Sequence, residues 1–193
     1  MEKIYTERLV LRKLRQKDAL DVARLTWDPW TEYWSGFHYV NTKDEAEEFI
    51  KGTRIASSYN DDESTCDEYG ITLPGDDRVI GLMNVRTRRV CNNLRTAVLG
   101  YLLRCDRTCN GYMTEAVKAV CRELFENRDI CQIRLNILPG NEASQRVAEK
   151  CGFQKIKDMP LRQREWWGEQ DLEAWLLDRY DWRSRELAYE LAV

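Results

Sequence analysis

Between Ala97 and Leu124 the chain reads as a strand, a short polar loop and a helix, and this joint constrains the fold more than any other stretch. Ala97 to Leu103 is apolar over strand length. From Met113 onward the apolar residues 113, 116, 117, 120, 121 and 124 recur at spacings of three and four, while Glu115, Lys118, Arg122 and Glu123 lie elsewhere. One helix face is therefore built for burial. A helix that begins directly after a buried strand presents its first-turn N–H groups at the strand's end. Those groups have no intrahelical partner and sit at the positive end of the helix dipole, so the joint suits a phosphate or pyrophosphate. Gly111 in the loop would let a ligand approach the backbone, although a simple strand-to-helix turn would use glycine for its backbone angle as well.

The rest of the chain supplies the partners of this unit. Leu9-Val10-Leu11 reads as a first strand, and Asp18 is expected to cap a helix running to about Trp27, ended by Pro29. Thr42 with Glu45 three residues on has the form of a capping box, opening a second helix over Ala46, Phe49, Ile50 and Ile55. After an acidic loop at Asn60-Asp61-Asp62-Glu63, Tyr69, Ile71 and Leu73 alternate. Pro74-Gly75-Asp76-Asp77 then turns into Val79 to Val85, giving a hairpin. The segment from Arg86 to Asn93 is expected to connect this hairpin to the strand at Ala97. Beyond the long helix, Ile133, Leu135 and Ile137 alternate as a strand, and Ala143, Val147, Ala148 and Cys151 mark a short helix stopped by Gly152. Two further strands are expected near Arg164 to Trp167 and Leu172 to Leu177, before a charged C-terminal segment. The order is β-α-α-β-β-β-α-β-α-β-β.

With 193 residues, no repeat and no linker-like tract, residues 1–193 are expected to form a single domain of α/β (α+β) class. A net charge of -3 offers no broad field for nucleic acid, and none is expected as a partner. The start, Met1 to Arg8, lacks the apolar core of a secretory signal, and no apolar run approaches the roughly 20 residues that span a bilayer. A cytoplasmic protein with no membrane partner is expected. The seven cysteines form an odd set and read as reduced thiols. A metal site built on Cys105 and Cys109 with Cys91 or Cys121 would lack a second paired cluster and nearby histidines, so no metal is expected. Neither a P-loop nor a dinucleotide-binding glycine pattern is present.

Four blocks carry a resemblance: Thr6-Glu7-Arg8-Leu9-Val10-Leu11-Arg12, Gly100-Tyr101-Leu102, Asn110-Gly111-Tyr112-Met113-Thr114-Glu115-Ala116, and Asn141-Glu142-Ala143-Ser144 leading to Glu149-Lys150-Cys151-Gly152-Phe153. In order and spacing they resemble the GNAT superfamily of N-acetyltransferases, and within it the branch related to bacterial enzymes that acetylate ribosomal-protein N-termini at alanine or serine. The resemblance implies a mixed, mostly antiparallel central sheet flanked by helices, with acetyl-CoA as co-substrate. It also implies direct attack of a primary amine on the thioester, the amine belonging to a protein N-terminus, an amino acid, a polyamine or an antibiotic. The cofactor would be held by Leu102, Leu103, Cys109, Asn110, Gly111, Tyr112, Met113, Thr114, Asn141 and Ser144. Ser144 would donate a proton to the leaving thiolate, and Glu165 would act as base or orient the amine. Trp30, Trp34 and Tyr101 would line the acceptor site. Cys109 and Asp106 depart from the family's phosphate loop, where glycine and Gln or Arg are usual. They are expected to narrow the cradle and to repel a pyrophosphate. A weakly catalytic acyl-CoA-binding module on the same fold is therefore the alternative, and either a monomer or a homodimer is compatible with the chain.

Overall fold

The computed structural model describes residues 3–35, 40, 42–58, 64–90, 94–156, 161–163 and 170–190. Its strands are β1 (Ile4–Tyr5), β2 (Val10–Lys13), β3 (Ser64–Leu73), β4 (Asp76–Arg89), β5 (Arg95–Leu103), β6 (Ile130–Ile137), β7 (Gln154–Lys155), β8 (Leu161–Gln163) and β9 (Gln170–Asp178). They form one sheet in the order β1-β2-β3-β4-β5-β6-β9-β7, with β8 paired to β9. Every pairing is antiparallel except that of β5 with β6. The helices are α1 (Ala19–Leu25), α2 (Pro29–Ser35), α3 (Lys43–Ser58), α4 (Tyr112–Asn127), α5 (Glu142–Lys150) and α6 (Arg179–Glu190). The mixed, mostly antiparallel sheet flanked by helices is thus the architecture that forms.

Both faces of the sheet are packed. On one, the apolar stripe of α4 (Met113, Ala116, Val117, Val120, Cys121, Leu124) meets Leu9, Leu11, Ile71, Val85, Leu99, Ile133 and Leu135. On the other, α1 and α3 bring Ala19, Val22, Ala46 and Ile50 onto Leu14, Val79, Leu82 and Leu102. Two glycines let the layers close. A Cβ at Gly81 would stand 2.7 Å from the Leu102 carbonyl oxygen, and one at Gly70 would stand 2.9 Å from a Leu14 methyl.

Several local expectations need correction. Pro29 does not end α1; it opens α2, because Asp28 caps that helix through Thr31 N–H at 2.9 Å and the fixed φ of proline suits a first helical turn. Asp18 precedes α1 without capping it. Its carboxylate accepts from Arg12 Nη1 and Nη2 at 2.7 and 2.9 Å and from Arg15 N–H at 2.7 Å, and both Arg12 and Asp18 are buried. A buried cation outcompetes the helix amides for that carboxylate. The Thr42–Glu45 capping box forms as expected, Thr42 N–H donating to Glu45 at 2.9 Å and Glu45 N–H to Thr42 Oγ1 at 3.2 Å. Arg86, Arg88 and Arg89 are not in a connection, because β4 continues through them in register with β3 and β5. The acidic stretch is strand from Ser64 on, with Asp67 and Glu68 both buried. The charged C-terminal segment includes α6, and the short strands β1, β7 and β8 extend the sheet. The strand expected at Arg164 to Trp167 lies outside the described residues. Among the described residues no helix is long and apolar enough to cross a membrane.

Overpacking at the β4–β5 contact should be felt globally. Gly81→Ala is expected to cost about 1–3 kcal/mol, read as a fall of several degrees in the thermal midpoint. An unchanged midpoint would mean that the strands separate more easily than their register implies.

Candidate active site

The sheet opens where its one parallel pair parts. β5 and β6 pair from Arg95–Ile130 to Leu99–Leu135 and no further, although β5 continues to Leu103 and β6 to Ile137. Each is held on its other edge: Gly100 to Leu103 pair with β4, and Asn136 and Ile137 with β9. The inner edge of Gly100–Leu103 therefore has backbone groups without a ladder partner, a geometry that an extended, amide-bearing ligand can complete.

At the end of that edge stands the candidate phosphate-binding turn. Gly111 is the N-cap of α4 at φ 77°, in the left-handed region, and contributes no side chain there. The first intrahelical bond is Glu115 N–H to Gly111 O at 3.0 Å, which leaves the amides of Tyr112, Met113 and Thr114 without helical partners. A strap from the chain's start fixes the turn. Thr6 Oγ1 and Arg8 N–H donate to one Glu115 carboxylate oxygen at 2.6 and 2.9 Å. Arg8 Nε donates to the other at 2.8 Å, and Arg8 Nη1 donates to the Asn110 carbonyl at 3.1 Å. Arg8 also lies over the Tyr112 ring at 5.0 Å. Asp106 is drawn off by Arg104, whose Nε donates to it at 2.5 Å, and this bond holds its carboxyl below the usual range. Cys109 adopts φ 61° and is exposed, so the loop takes the left-handed turn there without glycine. The residues present fit a pyrophosphate at the α4 amides.

Across the cleft, Asn141 caps α5 by accepting from Ser144 N–H at 3.1 Å. The Tyr101 hydroxyl, on the α4 side of β5, donates to the Ser144 carbonyl at 3.4 Å. Burial pushes the Tyr101 phenol up, with Ser144 pulling the other way. α5 is tied to β9 through Glu173, which accepts from Gln145 at 3.0 Å, Lys155 at 2.7 Å and Trp175 at 3.3 Å. From the opposite face, α2 sends Trp34 to the β6–α5 loop, its ring 3.8 Å from the position a Cβ on Gly140 would take. Trp30 packs edge-on against it at 5.5 Å. Leu102 belongs to the α1-side core and Leu103 to the α4 side.

The structure thus brings together Tyr101, Asn141 and Ser144 on one side of the cleft, Trp30 and Trp34 on the other, and the Cys109–Thr114 turn at its end. Glu165 lies outside the described residues. Among the described residues no group of three or more His, Cys, Asp or Glu could hold a metal ion.

Sequence reasoning missed Glu68. On β3 it stands opposite Asn84 of β4, which stands opposite Gly100 of β5, so one row leads from Glu68 to the first residue past the parting. Asn84 Nδ2 donates to Glu68 Oε1, while Oε2 is buried without a partner among the described residues. Burial raises the Glu68 pKa to about 7, against the pull of Asn84 and Arg86. Its neighbour Asp67 faces the other way and is bonded by Lys13 and by Arg128, the latter at 3.0 Å. Burial raises its pKa, but these cations outweigh that and hold it low. The two adjacent acids differ because cations hydrogen-bond directly to Asp67, whereas Glu68 is bonded by a neutral amide and feels cations only at a distance.

Residues 8–154 match the acetyltransferase (GNAT) domain family, most of the chain. The chain belongs to that family. It is an acetyl-CoA-dependent acetyltransferase acting on amine substrates. It is 37% identical over 87 residues to the probable N-acetyltransferase YjcK of Bacillus subtilis, a stretch covering 45% of this chain and 48% of YjcK, about half of that protein. Two solved structures share the fold. A putative ribosomal-protein-serine acetyltransferase from Vibrio cholerae matches with TM-score 0.72 and 22% identity, over 92% of this chain and 99% of that one. RimJ of Mycobacterium smegmatis, in complex with CoA-disulfide, matches with TM-score 0.73 and 17% identity, over 96% and 98%.

For this GNAT acetyltransferase the turn should govern cofactor affinity. Gly111→Ala forces a Cβ into a left-handed position 3.4 Å from the Arg8 guanidinium, at about 1–2 kcal/mol of backbone strain. Calorimetric titration is expected to show acetyl-CoA binding weakened about tenfold or more, with Cys109→Gly binding at least as well as wild type. Equal affinity in all three proteins would place the pyrophosphate elsewhere.

Glu68 makes a separate prediction. Its raised pKa favours the folded state below the unfolded value of 4.5, and that contribution is lost as pH rises through about 7. Over this window the loss is about 3 kcal/mol. Glu68→Gln should remove it, so that urea unfolding shows the variant gaining on wild type between pH 5 and pH 8.5. A constant difference at the two pH values would contradict the assignment.

Proposed function

We propose that this enzyme acetylates the α-amine of a protein N-terminus. The observation that carries the reading is the open α1-side sheet face beside Gly100. Gly100, Arg86 and Arg88 are exposed, and the apolar core under α1 and α3 stops at the Leu82–Leu102 row, with α2 packed against β5 beside it. An open strip beside the cleft suits the end of a chain better than an enclosed small molecule. The name of the Vibrio cholerae protein of like fold supports the same acceptor.

Acetyl-CoA supplies an activated acyl group. The neutral amine adds to the acyl carbon, the carbon–sulfur bond breaks, and the products are the acetylated amine and the CoA thiol. An α-amine has a pKa of about 8, so a modest base suffices. Ser144, in the first turn of α5, gives the thiolate its proton. Glu165 takes the proton of the incoming amine, and Glu68, two strands from Gly100 in the same row and poised near neutrality, is the second carboxyl for that task. Residues 1–193 work as one cytoplasmic acetyltransferase domain. The departures at Cys109 and Asp106 leave the turn formed and the stray charge paired, which favours the enzyme over a weakly catalytic binding module.

The test is acetyl-CoA-dependent thiol release with short peptides bearing free or blocked N-termini. Free peptides should react and blocked ones should not. Ser144→Ala is expected to lower kcat by about 10²–10⁴-fold with little change in acetyl-CoA affinity, the usual scale of acid–base assistance. Tight acetyl-CoA binding with no turnover on any amine would reverse the choice in favour of the binding module.

A further inference from the structure

The open face beside the cleft carries an unusual set of charges. Arg86 of β4 pairs with Val98 of β5, and Val98 with Arg134 of β6, so the two arginines flank one valine on the side of the sheet that holds Glu68, Asn84 and Gly100. Two residues further along β4, Arg88 faces the same way, opposite Thr96, which pairs in turn with Gln132. Arg86 and Arg88 are exposed, and Arg134 is half-buried with its Nε enclosed and unbonded. Burial, and Arg88 nearby, lower the Arg134 pKa.

Many arginines among the described residues have carboxylate partners, for example Arg8 with Glu115, Arg12 with Asp18, Arg78 with Asp76, Arg104 with Asp106, Arg122 with Glu186, Arg128 with Asp67 and Arg179 with Asp129. Among the described residues the guanidinium groups of Arg86, Arg88 and Arg134 form no direct ion pair, although the charge of Arg86 acts on the buried Glu68 carboxyl. Among the described residues the strand acids sharing their face are Glu68, which is buried, held by Asn84 and felt by Arg86, and Asp178 at the β9 edge, which accepts from Tyr180 N–H at 2.8 Å. Three mutually repelling cations on one face, one partly desolvated, form a surface that an anion stabilises.

The distance to the cleft identifies the anion's carrier. Arg86 and Arg134 lie two residues from the Gly100 row and Arg88 four, about 7 and 13 Å along the strands at 3.3–3.4 Å per residue. An extended chain with its amine at Gly100 reaches those rows with its third to fifth residues. We infer that Arg86, Arg88 and Arg134 read acidic side chains just behind the acceptor amine, making this an acetyltransferase of acidic N-terminal segments. The inference rests on the N-terminal acceptor proposed above. The same surface disfavours polycationic acceptors such as polyamines by like-charge repulsion.

The experiment compares three peptides that share a free N-terminal serine and differ only in carrying Asp, Ala or Lys at positions three and four. Thiol release gives kcat/KM at low and at physiological salt. Wild type is expected to prefer the Asp peptide over the Ala peptide by about tenfold at low salt, less at higher salt, and to use the Lys peptide least. The Arg86→Gln/Arg134→Gln protein should reduce the Asp:Ala ratio to about two or less. Arg86→Glu should shift preference toward the Lys peptide, a change that mere damage to the fold would not produce. A wild-type Asp:Ala ratio near one, with all three peptides acetylated, overturns the inference and leaves the N-terminal acceptor standing. Acetylation of small amines but of no peptide overturns both. Inhibition by RNA that the arginine changes relieve, without any peptide preference, assigns the surface to a nucleic acid and overturns the acidic-segment inference.

Discussion

The cleft of this acetyltransferase exists because β5 and β6 can separate without the sheet falling apart. They are the one parallel pair, and a parallel pair needs a long crossover, here α4, rather than a tight turn. Antiparallel neighbours hold each strand on its outer edge past the parting, β4 for β5 and β9 for β6. Losing the inner ladder beyond Leu99 and Leu135 therefore leaves both strands ordered. The crossover also brings the start of α4, with its unpaired amides, close after the last residue of β5, which suits an anion there.

What keeps that helix start in place comes from the far end of the chain. Glu115 sits in the first turn of α4, where a carboxylate is favoured by the dipole, and it gathers Thr6 and Arg8 from about 110 residues away in sequence. Arg8 then reaches the Asn110 carbonyl, so one guanidinium spans the helix and the loop before it. Asp106 and Cys109, which look unfavourable for an anion site when read alone, are absorbed locally. The acid is neutralised by Arg104, and the cysteine accepts a positive φ at an exposed position where its side chain can point to solvent. The strap explains why the Thr6-Glu7-Arg8 and Glu115 blocks occur together.

Elements governed by local rules were legible in the sequence. The α4 stripe, the Thr42–Glu45 capping box and the Pro74-Gly75 hairpin each depend on residues within a few positions of one another. The misreadings arose where a competing partner decides, whether near or far in sequence. Asp18 has the form of a cap until Arg12 claims it, and Pro29 has the form of a stop until Asp28 makes it a start. Arg86 to Arg89 and Asp67-Glu68 have loop composition, but β4 is paired on both sides and carries its polar residues as strand. In the cleft, Asn141 and Ser144 were accessible through their motif. Glu68 was not, because a buried carboxyl opposite an asparagine depends on strand register, which no local signal reveals.

The polar strip on the α1 side of the sheet runs against the logic of the rest of the molecule. Toward β2 and the hairpin turn, that face is closed by Leu14, Val79, Leu82 and Leu102 under two helices. From the Glu68–Asn84–Gly100 row onward the same face offers a carboxyl that is hard to ionise, a glycine without a side chain and arginines that form no direct ion pair among the described residues. Each of these opposes stability by itself: apolar residues there would extend the core, and acids placed opposite the arginines would neutralise them. Their joint position, beginning at the row where β5 leaves β6, gives them a shared physical role. An amine needs a group that will take its proton, space to approach the acyl carbon, and something to hold the remainder of its molecule, and on the acceptor proposed above this face would supply all three from nearby rows of one sheet.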